Sequence, residues 1–333
     1  MSGQAPDFWF RRRGPLATAL RPLGAAYARA TAKRLAQGPR ERVAAKVICV
    51  GNLNAGGTGK TPTVIALLQK LEGRGLRVHV VSRGHGGTEK GPLRVDPMRH
   101  PAERVGDEPR LMAAFGPVWV ADDRAAGARA AVAAGAQAVI LDDGFQDPAL
   151  AHDLSIVVAD AAKGWGNGLC IPAGPLREPV AAGLSRADLV LTIGPPQTQQ
   201  AFTARWPSLP VPRLTGRLET LRMGMDWKGL RALAFAGIGH PEKFFASLAA
   251  EGAEIVRAEA LADHQPFSPR LLTRLETESK MLGAQLVTTE KDAARLPNAF
   301  RGKVLVLPVR LKIDDPAALD ERLAALFPGK ARR

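Results

Sequence analysis

From residue 46 onwards, short apolar runs alternate with helical stretches along the chain. The apolar runs predict strands near 46–51, 77–82, 117–121, 137–141, 154–159 and 187–193. The stretches between them predict helices near 60–73, 107–115 and 124–135. This alternation is typical of a mostly parallel sheet that is covered by helices on both faces.

A polar, proline-containing segment at 194–213 interrupts the alternation, and we expect it to lead into a second lobe. In that lobe the pattern predicts strands near 232–237, 253–258, 285–288 and 303–308, and helices near 241–251, 269–282 and 316–326. The second lobe is therefore predicted to be a smaller α/β unit. Ligands of such folds collect beyond the carboxyl ends of the strands, so we expect a site shared between the lobes.

The first 46 residues differ from the rest in being strongly basic. They contain ten Lys or Arg against Asp7 and Glu41, which is +8 of the net charge of +14. Apolar residues from Phe8 to Tyr27 recur every three or four positions, so they share one face of a helix that is interrupted near Pro22. A basic helix with an aromatic end can lie in a membrane interface. The alternatives are a solvated helix packed on the domain and a nucleic-acid-binding arm.

Composition and charge limit the classes of function. The 333 residues suffice for about two domains, and the excess of positive charge predicts an anionic partner. Cys49 and Cys170 lie far apart in sequence and outside any metal-type cluster, so they indicate ordinary thiols, with Cys49 in the core of its strand. No apolar run is long enough to span a membrane, and no signal-type stretch follows the N-terminal charges. We therefore expect a cytoplasmic protein.

The segment VICVGNLNAGGTGKTP (47–62) resembles a phosphate-binding loop between a strand and a helix. Asn54 stands where the first glycine is usual, and we expect it at modest cost because Asn enters left-handed conformations readily. Lys60 would reach the β- and γ-phosphates and Thr61 would ligate Mg²⁺. The predicted nucleotide-binding residues are Asn54, Ala55, Gly56, Gly57, Thr58, Gly59, Lys60 and Thr61.

Acidic residues follow other predicted strands. The strand from Ala138 ends in Asp142 and Asp143, as expected for the acidic partner of an Mg²⁺ site. Asp107 begins a predicted helix, and its role could be limited to that of the N-cap. His264 follows a strand of the second lobe and could have a purely structural role. Either residue could instead orient or deprotonate a hydroxyl acceptor.

Nine segments occur in the order seen in the tetraacyldisaccharide 4'-kinases of lipid A biosynthesis (LpxK). They are VGNLNAGGTGKTP, VVSRGHGG, VGDEP, ILDDGFQ, DLSIVVAD, GNGLCIPAGPLREP, FAGIGHPEKFF, DHQPFS and TTEKDAARL. The likeness covers residues 8 to about 310, and the chain resembles this family closely. The fold class that follows is a P-loop NTPase-like, mostly parallel core with a smaller α/β lobe. Its predicted parts are a membrane-interface segment (1–45), a kinase core (46–213) and a C-terminal lobe (214–333).

The resemblance implies a kinase that transfers the γ-phosphoryl group of ATP, with Mg²⁺, to the 4'-hydroxyl of a lipid A disaccharide 1-phosphate precursor. It implies a peripheral enzyme at the anionic, cytoplasmic face of the inner membrane. We expect a monomer that binds no nucleic acid. By motif, Asp107 and His264 resemble the pair that activates the acceptor. Lys60 belongs to the same catalytic set.

Further site residues follow from the same resemblance. The metal-site residues would be Thr61, Asp142, Asp143 and Glu178, and the substrate-binding residues would be Arg83, His85 and Arg177. The family often has Tyr where this chain has His85, which puts an aromatic contact at that position in doubt.

Rival interpretations come from other classes of protein. A nucleic-acid-associated P-loop ATPase or a metallochaperone-type GTPase would suit the net charge. The sequence has only one Tyr, however, and lacks the Asn-Lys-x-Asp motif that guanine-binding proteins use. A nucleotide-gated membrane adaptor that binds ATP without using it is a third, non-enzymatic possibility.

Overall fold

The computed structural model describes residues 5–221, 224–263 and 265–329. The chain divides into two compact units. The larger unit contains Ala5–Leu218 and the segment that begins at Leu311, whereas the smaller unit is Glu219–Arg310. The chain thus leaves the larger unit and later returns to it, which the alternation of strands and helices does not indicate.

The strands of the described residues are, in chain order, β1 (Lys46–Gly51), β2 (Val78–Ser82), β3 (Leu93–Arg94), β4 (Val118–Val120), β5 (Ala138–Asp142), β6 (Leu154–Asp160), β7 (Leu189–Ile193), β8 (Arg213–Thr220), β9 (Arg231–Ala236), β10 (Glu254–Ala260), β11 (Gln285–Thr289), β12 (Val304–Leu307) and β13 (Val309–Ile313).

The helices are α1 (Pro15–Ala19), α2 (Arg21–Ala36), α3 (Lys60–Glu72), α4 (Ala102–Val105), α5 (Asp107–Met112), α6 (Arg124–Ala133), α7 (Val180–Leu184), α8 (Pro196–Arg205), α9 (Pro241–Ala250), α10 (Pro269–Met281), α11 (Glu290–Arg295), α12 (Asn298–Arg301) and α13 (Ala317–Leu326). A short 3₁₀ turn at Asp7–Trp9 precedes them.

The larger unit is built on a sheet whose nine described strands have the order β13-β8-β7-β6-β1-β5-β2-β4-β3. The pairings from β8 across to β4 are parallel, and β3 pairs antiparallel with β4. Alternate residues of each strand point to opposite faces. Ile48 and Val50 thus join a core cluster with α3 and α13, whereas Val47 and Cys49 join another cluster with α6. The prediction of a mostly parallel sheet with helices on both faces is confirmed, as is Cys49 in the core.

The smaller unit has its own parallel sheet, of order β10-β9-β11-β12 in the described residues. Leu233 and Phe235 of β9 pack on one face with leucines of α10 such as Leu275. The alternating Ala232 and Ala234 pack on the other face with Phe244 of α9. The predicted second, smaller α/β unit is confirmed.

Two segments differ from the sequence-based expectation. Residues 194–213 contain the whole of α8, and β8 begins at their end, so the alternation continues through them. Helix α13, expected in the second lobe, lies in the larger unit, where Leu319 and Leu323 are buried. Asp320 between them pairs with Lys70 of α3 at 2.7 Å and with Arg74 at 2.6 Å.

The N-terminal segment forms α1 and α2, which meet at Leu20, so the predicted interruption near Pro22 is confirmed. Its aromatic end packs on the larger unit: the Trp9 indole N–H donates to the Pro172 carbonyl at 3.0 Å, and the Lys163 ammonium lies 5.1 Å from the Phe10 ring centre. Leu16 and Leu23 remain exposed on the helices. In the described part of the chain, no helix combines the length and apolar character needed to cross a membrane.

His152, in the loop between β5 and β6, is a largely buried imidazole. Its Nδ1 lies 3.2 Å from the Ser155 hydroxyl, and its Nε2 is buried without a hydrogen-bond partner among the described residues. Burial lowers the pKa of His152 from 6.5 to about 4; the charge of Asp147 opposes this shift, and nearby arginines add to it. The imidazole is therefore neutral in the folded protein at pH 5, although it would be protonated in the unfolded chain.

We expect this difference in pKa to destabilise the protein in mild acid. Between pH 7 and pH 5 the unfolded state binds the extra proton, so this residue should lower the free energy of unfolding by about 2 kcal/mol. His152→Gln should remove that part of the pH dependence. Thermal unfolding of both proteins at the two pH values measures it, and an equally steep loss of stability in the variant would contradict the assignment.

Candidate active site

The phosphate-binding loop joins β1 to α3 at the carboxyl edge of the nine-stranded sheet. Gly56 and Gly59 have φ angles of +98° and +96°, a region that suits glycine. A Cβ atom at Gly59 would lie 2.6 Å from Ile193 Cδ1, so the end of that side chain would have to move. Cβ atoms at Gly56 or Gly57 would meet open space, which leaves this side of the loop accessible. The N-terminus of α3 directly follows the loop, and helix N-termini favour anions.

The expected reason for Asn54 is wrong. Among the described non-glycine residues, positive φ angles occur only at Arg40 and Asp143. Asn54 instead forms an isolated antiparallel bridge with Leu176, and its buried side-chain amide donates to the Gly164 carbonyl at 2.8 Å. This position therefore anchors the loop to the 164–176 segment and makes no left-handed turn.

Asn52 supports the loop from inside, a role that the sequence pattern did not predict. Its side-chain amide donates to the Gly56 carbonyl and to the Thr58 hydroxyl, both at 3.2 Å. The backbone carbonyl of Asn52 accepts a hydrogen bond from the Gln146 side chain at 2.8 Å. Gln146 follows the acidic strand end and so connects the loop to the adjacent strand β5.

Lys60 and Asp143 face each other across the loop. The Lys60 ammonium lies 3.5 Å from a carboxylate oxygen of Asp143, and the Arg177 guanidinium donates to the same oxygen at 2.8 Å. Burial alone would raise the pKa of Asp143, but the two cations hold it below its ordinary value. Asp143 has a φ angle of +54°, and its carbonyl accepts from Arg124 at 2.9 Å. The structure thus brings together three residues that the sequence placed in the site.

Asp142 is buried directly beside this pair. The registers align it with Val50 of β1 and place it next to Ser82 of β2, whose hydroxyl donates to it at 2.9 Å. Burial raises the pKa of Asp142 to about 6, although Lys60 opposes the rise. The two aspartates and the Thr61 hydroxyl offer the hard oxygen donors that Mg²⁺ prefers. Mg²⁺ keeps several waters and phosphate ligands, so this short donor set fits it.

Glu178, which was predicted as a metal ligand, is buried and bound by other side chains. It is 2% exposed, and one oxygen accepts from Arg186 at 2.9 Å and from Gln146 at 2.9 Å. The other oxygen accepts from Arg186 at 2.8 Å. In this arrangement Glu178 orients Gln146 behind the loop. A direct role at Mg²⁺ stays a prediction.

Arg83 and His85 are exposed on the loop that follows β2. That loop packs closely on Gly106, where a Cβ atom would lie 2.8 Å from the His85 carbonyl oxygen. Asp107 follows immediately as the first residue of α5, and Gly106 holds the N-cap position without a side-chain cap. The structure thus places His85 near Asp107, and Asp107 is not the N-cap.

His264, the other member of the expected acceptor-activating pair, lies outside the described residues. Its meeting with Asp107 stays a prediction. Within the described ranges, no cluster of three or more His, Cys, Asp or Glu side chains is arranged to hold a metal. The metal assignment therefore depends on two carboxylates and a hydroxyl.

Four residues of this edge were missed from the sequence: Asn52, Ser82, Gln146 and Arg124. Gln146 is the last residue of the ILDDGFQ segment, so its position close behind Asp142 and Asp143 could have indicated a role in the site. Arg124, 5% exposed, pairs with Asp147 at 2.6 Å and holds the Asp143 carbonyl. Nothing local in the sequence distinguishes it from other arginines at a helix start.

Comparisons with known proteins show the family to which this chain belongs. The model of the family described as tetraacyldisaccharide-1-P 4'-kinase (LpxK) matches residues 16–328. A tetraacyldisaccharide 4'-kinase of Dinoroseobacter shibae is 61% identical, over 98% of this chain and 99% of that protein. One from Jannaschia sp. is 58% identical, over 95% and 97%.

A solved structure supports the same conclusion. LpxK from Aquifex aeolicus in complex with ATP superimposes with a TM-score of 0.74 at 26% identity, and covers 94% of this chain and 99% of that one. The match in sequence and the match in fold both extend over nearly the whole chain. The protein therefore belongs to the tetraacyldisaccharide 4'-kinase family.

Proposed function

We propose that this enzyme transfers the γ-phosphoryl group of ATP to the 4'-hydroxyl of a lipid A disaccharide 1-phosphate precursor. The observation that carries the proposal is Lys60 at the start of α3, held 3.5 Å from Asp143 beside the accessible glycines of the phosphate loop. Family membership supports the lipid acceptor, and the ATP complex of the Aquifex aeolicus relative supports the donor.

Phosphoryl transfer requires mainly positioning and neutralisation of charge. The amides of the 54–59 loop and the N-terminus of α3 would bind the phosphates, and Lys60 would neutralise charge that develops on the transferred group. Thr61, Asp142 and Asp143 would hold Mg²⁺, which supplies charge neutralisation on the phosphate oxygens when bound.

The acceptor side needs a base and an orienting partner. Asp107 would take the proton of the 4'-hydroxyl as it attacks, and His264 would orient or stabilise that carboxylate. Arg83, His85 and Arg177 would contact the substrate, with Arg177 also fixing Asp143 at 2.8 Å. His85 stands where an aromatic residue is usual, so its imidazole would supply a hydrogen bond or a stacked ring.

Transfer of ³²P from labelled ATP to disaccharide 1-phosphate lipid in detergent, followed by thin-layer separation, tests the proposal. We expect label in the lipid, and label that depends on Mg²⁺. Unlabelled lipid with intact ATP binding would favour the adaptor alternative. The nucleic-acid-associated ATPase and the metallochaperone-type GTPase are not favoured, because the family match spans residues 16–328.

We also propose that the enzyme acts as a peripheral monomer on the cytoplasmic face of the inner membrane, with α1 and α2 against anionic lipid. Leu16 and Leu23 are 55% and 58% exposed, and Tyr27 is 37% exposed, so the helices present an apolar surface. Arg11 and Arg12 precede them and are exposed, whereas Arg13 donates to the Asn167 carbonyl at 3.1 Å.

Replacing Arg11 and Arg12 by Gln should weaken binding to anionic vesicles. Each basic residue near such a surface contributes about 1 kcal/mol, so the double variant should bind about 10- to 30-fold more weakly at low salt. The apparent KM for lipid should rise while the KM for ATP stays unchanged. Vesicle co-sedimentation across a salt series measures this, with Arg99→Gln/Arg322→Gln as a charge-matched control. Equal binding by both double variants would show that the helices are only structural.

A further inference from the structure

Asp292 and Arg295 form a buried ion pair on α11 of the smaller unit. The Asp292 side chain is fully buried, that of Arg295 is 7% exposed, and the two are 3.1 Å apart. They follow β11, which pairs with β9, while β9 pairs with β10. The pair therefore lies at the carboxyl edge of a parallel sheet, which is where ligands of such sheets bind.

The pair holds the segment that follows β9. Asp292 accepts from the Gly237 N–H at 3.1 Å, and Arg295 donates to the Gly237 carbonyl at 3.4 Å. The Thr289 hydroxyl donates to Asp292 at 2.8 Å and fixes that carboxylate on α11. The ion pair thus binds both the N–H and the carbonyl group of Gly237.

The same arginine holds the segment that follows β10. Its other terminal nitrogen donates to the Gln265 carbonyl, and its guanidinium lies 5.0 Å from the Phe267 ring centre. The loop is closed on itself as well, since Gln265 N–H donates to the Ala262 carbonyl at 2.9 Å and the Gln265 side chain accepts from Ala262 N–H at 3.0 Å. The chain on both sides of residue 264 is therefore fixed by contacts that end at Arg295.

A contribution to the stability of the fold is a weak explanation for a buried ion pair. Desolvation of two buried charges offsets much of their attraction, so an apolar pair of similar volume is often as stable. Leu261 and Leu296, which pack in the apolar core of this unit, show that apolar residues are accommodated nearby. The ion pair instead provides directional bonds to two loops, which apolar side chains cannot provide.

We propose that Arg295, oriented by Asp292, is a positioning residue for phosphoryl transfer, because it holds the described residues that flank His264 in the sequence. The inference rests on the proposed function, in which His264 acts on the acceptor side. A shift of a catalytic group by about 1 Å can lower a rate by about 100-fold, so the loop needs a rigid support.

Arg295→Lys tests the geometry and keeps the charge opposite Asp292, because lysine lacks the planar fork that reaches two carbonyls. We expect kcat for lipid phosphorylation to fall by about 10- to 100-fold while the KM for ATP is unchanged. Arg301→Lys is the matched control. Arg301 also donates to two carbonyls, those of Leu296 and Ala294, at 3.1 and 3.0 Å, but to none of the described residues 262, 263 and 265–267. It should retain wild-type kcat.

A double-mutant cycle separates positioning from general stability. In a His264→Ala background, Arg295→Lys should cause no further loss of kcat, because the group that it positions is gone. Asp292→Asn, which keeps the shape of the side chain, should give a smaller loss that also disappears in that background. Multiplicative losses in the cycle, or an equal loss in Arg301→Lys, would overturn the inference.

The outcomes also distinguish this inference from the proposed function. An absence of lipid phosphorylation by the wild-type enzyme would reject the proposed function itself. Full activity of His264→Ala would reject the role of His264, and the positioning role with it. If Arg295→Lys does not fold, as judged by thermal unfolding, Asp292→Asn carries the same cycle and decides the question.

Discussion

Lys60→Ala should lower the rate of lipid phosphorylation by about 1,000-fold or more. Removal of one donor that stabilises developing charge in an active site typically costs about 100- to 1,000-fold. Lys60 should be at the upper end, because it begins α3 beside the phosphate loop and faces Asp143 at 3.5 Å. Single-turnover transfer of labelled phosphate measures the loss.

Lys70→Ala provides the control for this variant. Lys70 lies on the same helix and pairs with Asp320 at 2.7 Å, so its replacement also removes one paired charge from α3. It should retain wild-type turnover, and both variants should unfold at temperatures near that of the wild type. Near-normal turnover in Lys60→Ala would falsify the assignment of the phosphate loop.

Asp107→Ala and His264→Ala should each lower kcat by about 100- to 10,000-fold, the range associated with a positioned acid or base. ATP affinity should change little, since neither residue belongs to the phosphate loop. If the two act as one unit, the double variant should be no slower than the poorer single variant. Steady-state kinetics with varied ATP and lipid separates these effects.

Glu103→Ala is a suitable control, because Glu103 is an exposed carboxylate on the neighbouring helix α4. It should leave both constants unchanged. Losses that multiply in the double variant would show that Asp107 and His264 have independent roles. A large loss of ATP binding in either single variant would place that residue on the nucleotide side.

Most of the sheet could be predicted because its strands are long apolar runs. Every residue of β5 and β6 is buried, so their sequences show strands without knowledge of their neighbours. Strand β13 was missed although Val309, Leu311 and Ile313 alternate with Arg310 and Lys312, a pattern typical of a strand. Its partner β8 lies nearly a hundred residues away. That pairing depends on tertiary contacts, which a local pattern does not report.

The site was predictable where a sequence motif marks its residues. Asp142 and Asp143 mark the end of strand β5, and Lys60 marks the end of the loop that follows strand β1, so the pairing of β1 with β5 brings them together. Ser82 and Arg124 contact these aspartates through register and helix packing, which the sequence does not show. Asn54 was placed correctly in the loop but with the wrong backbone conformation, because its bridge to Leu176 is a long-range contact.

The smaller unit is a domain inserted into the sequence of the larger unit. The chain enters it after Leu218 and leaves it before Leu311, and at its two ends the Leu221 N–H donates to the Pro308 carbonyl at 2.9 Å. Because the two ends are adjacent, a domain can be inserted or removed here without distorting the larger unit. Insertions and deletions in its loops can thus accumulate between relatives while β8 and β13 keep their places in the nine-stranded sheet.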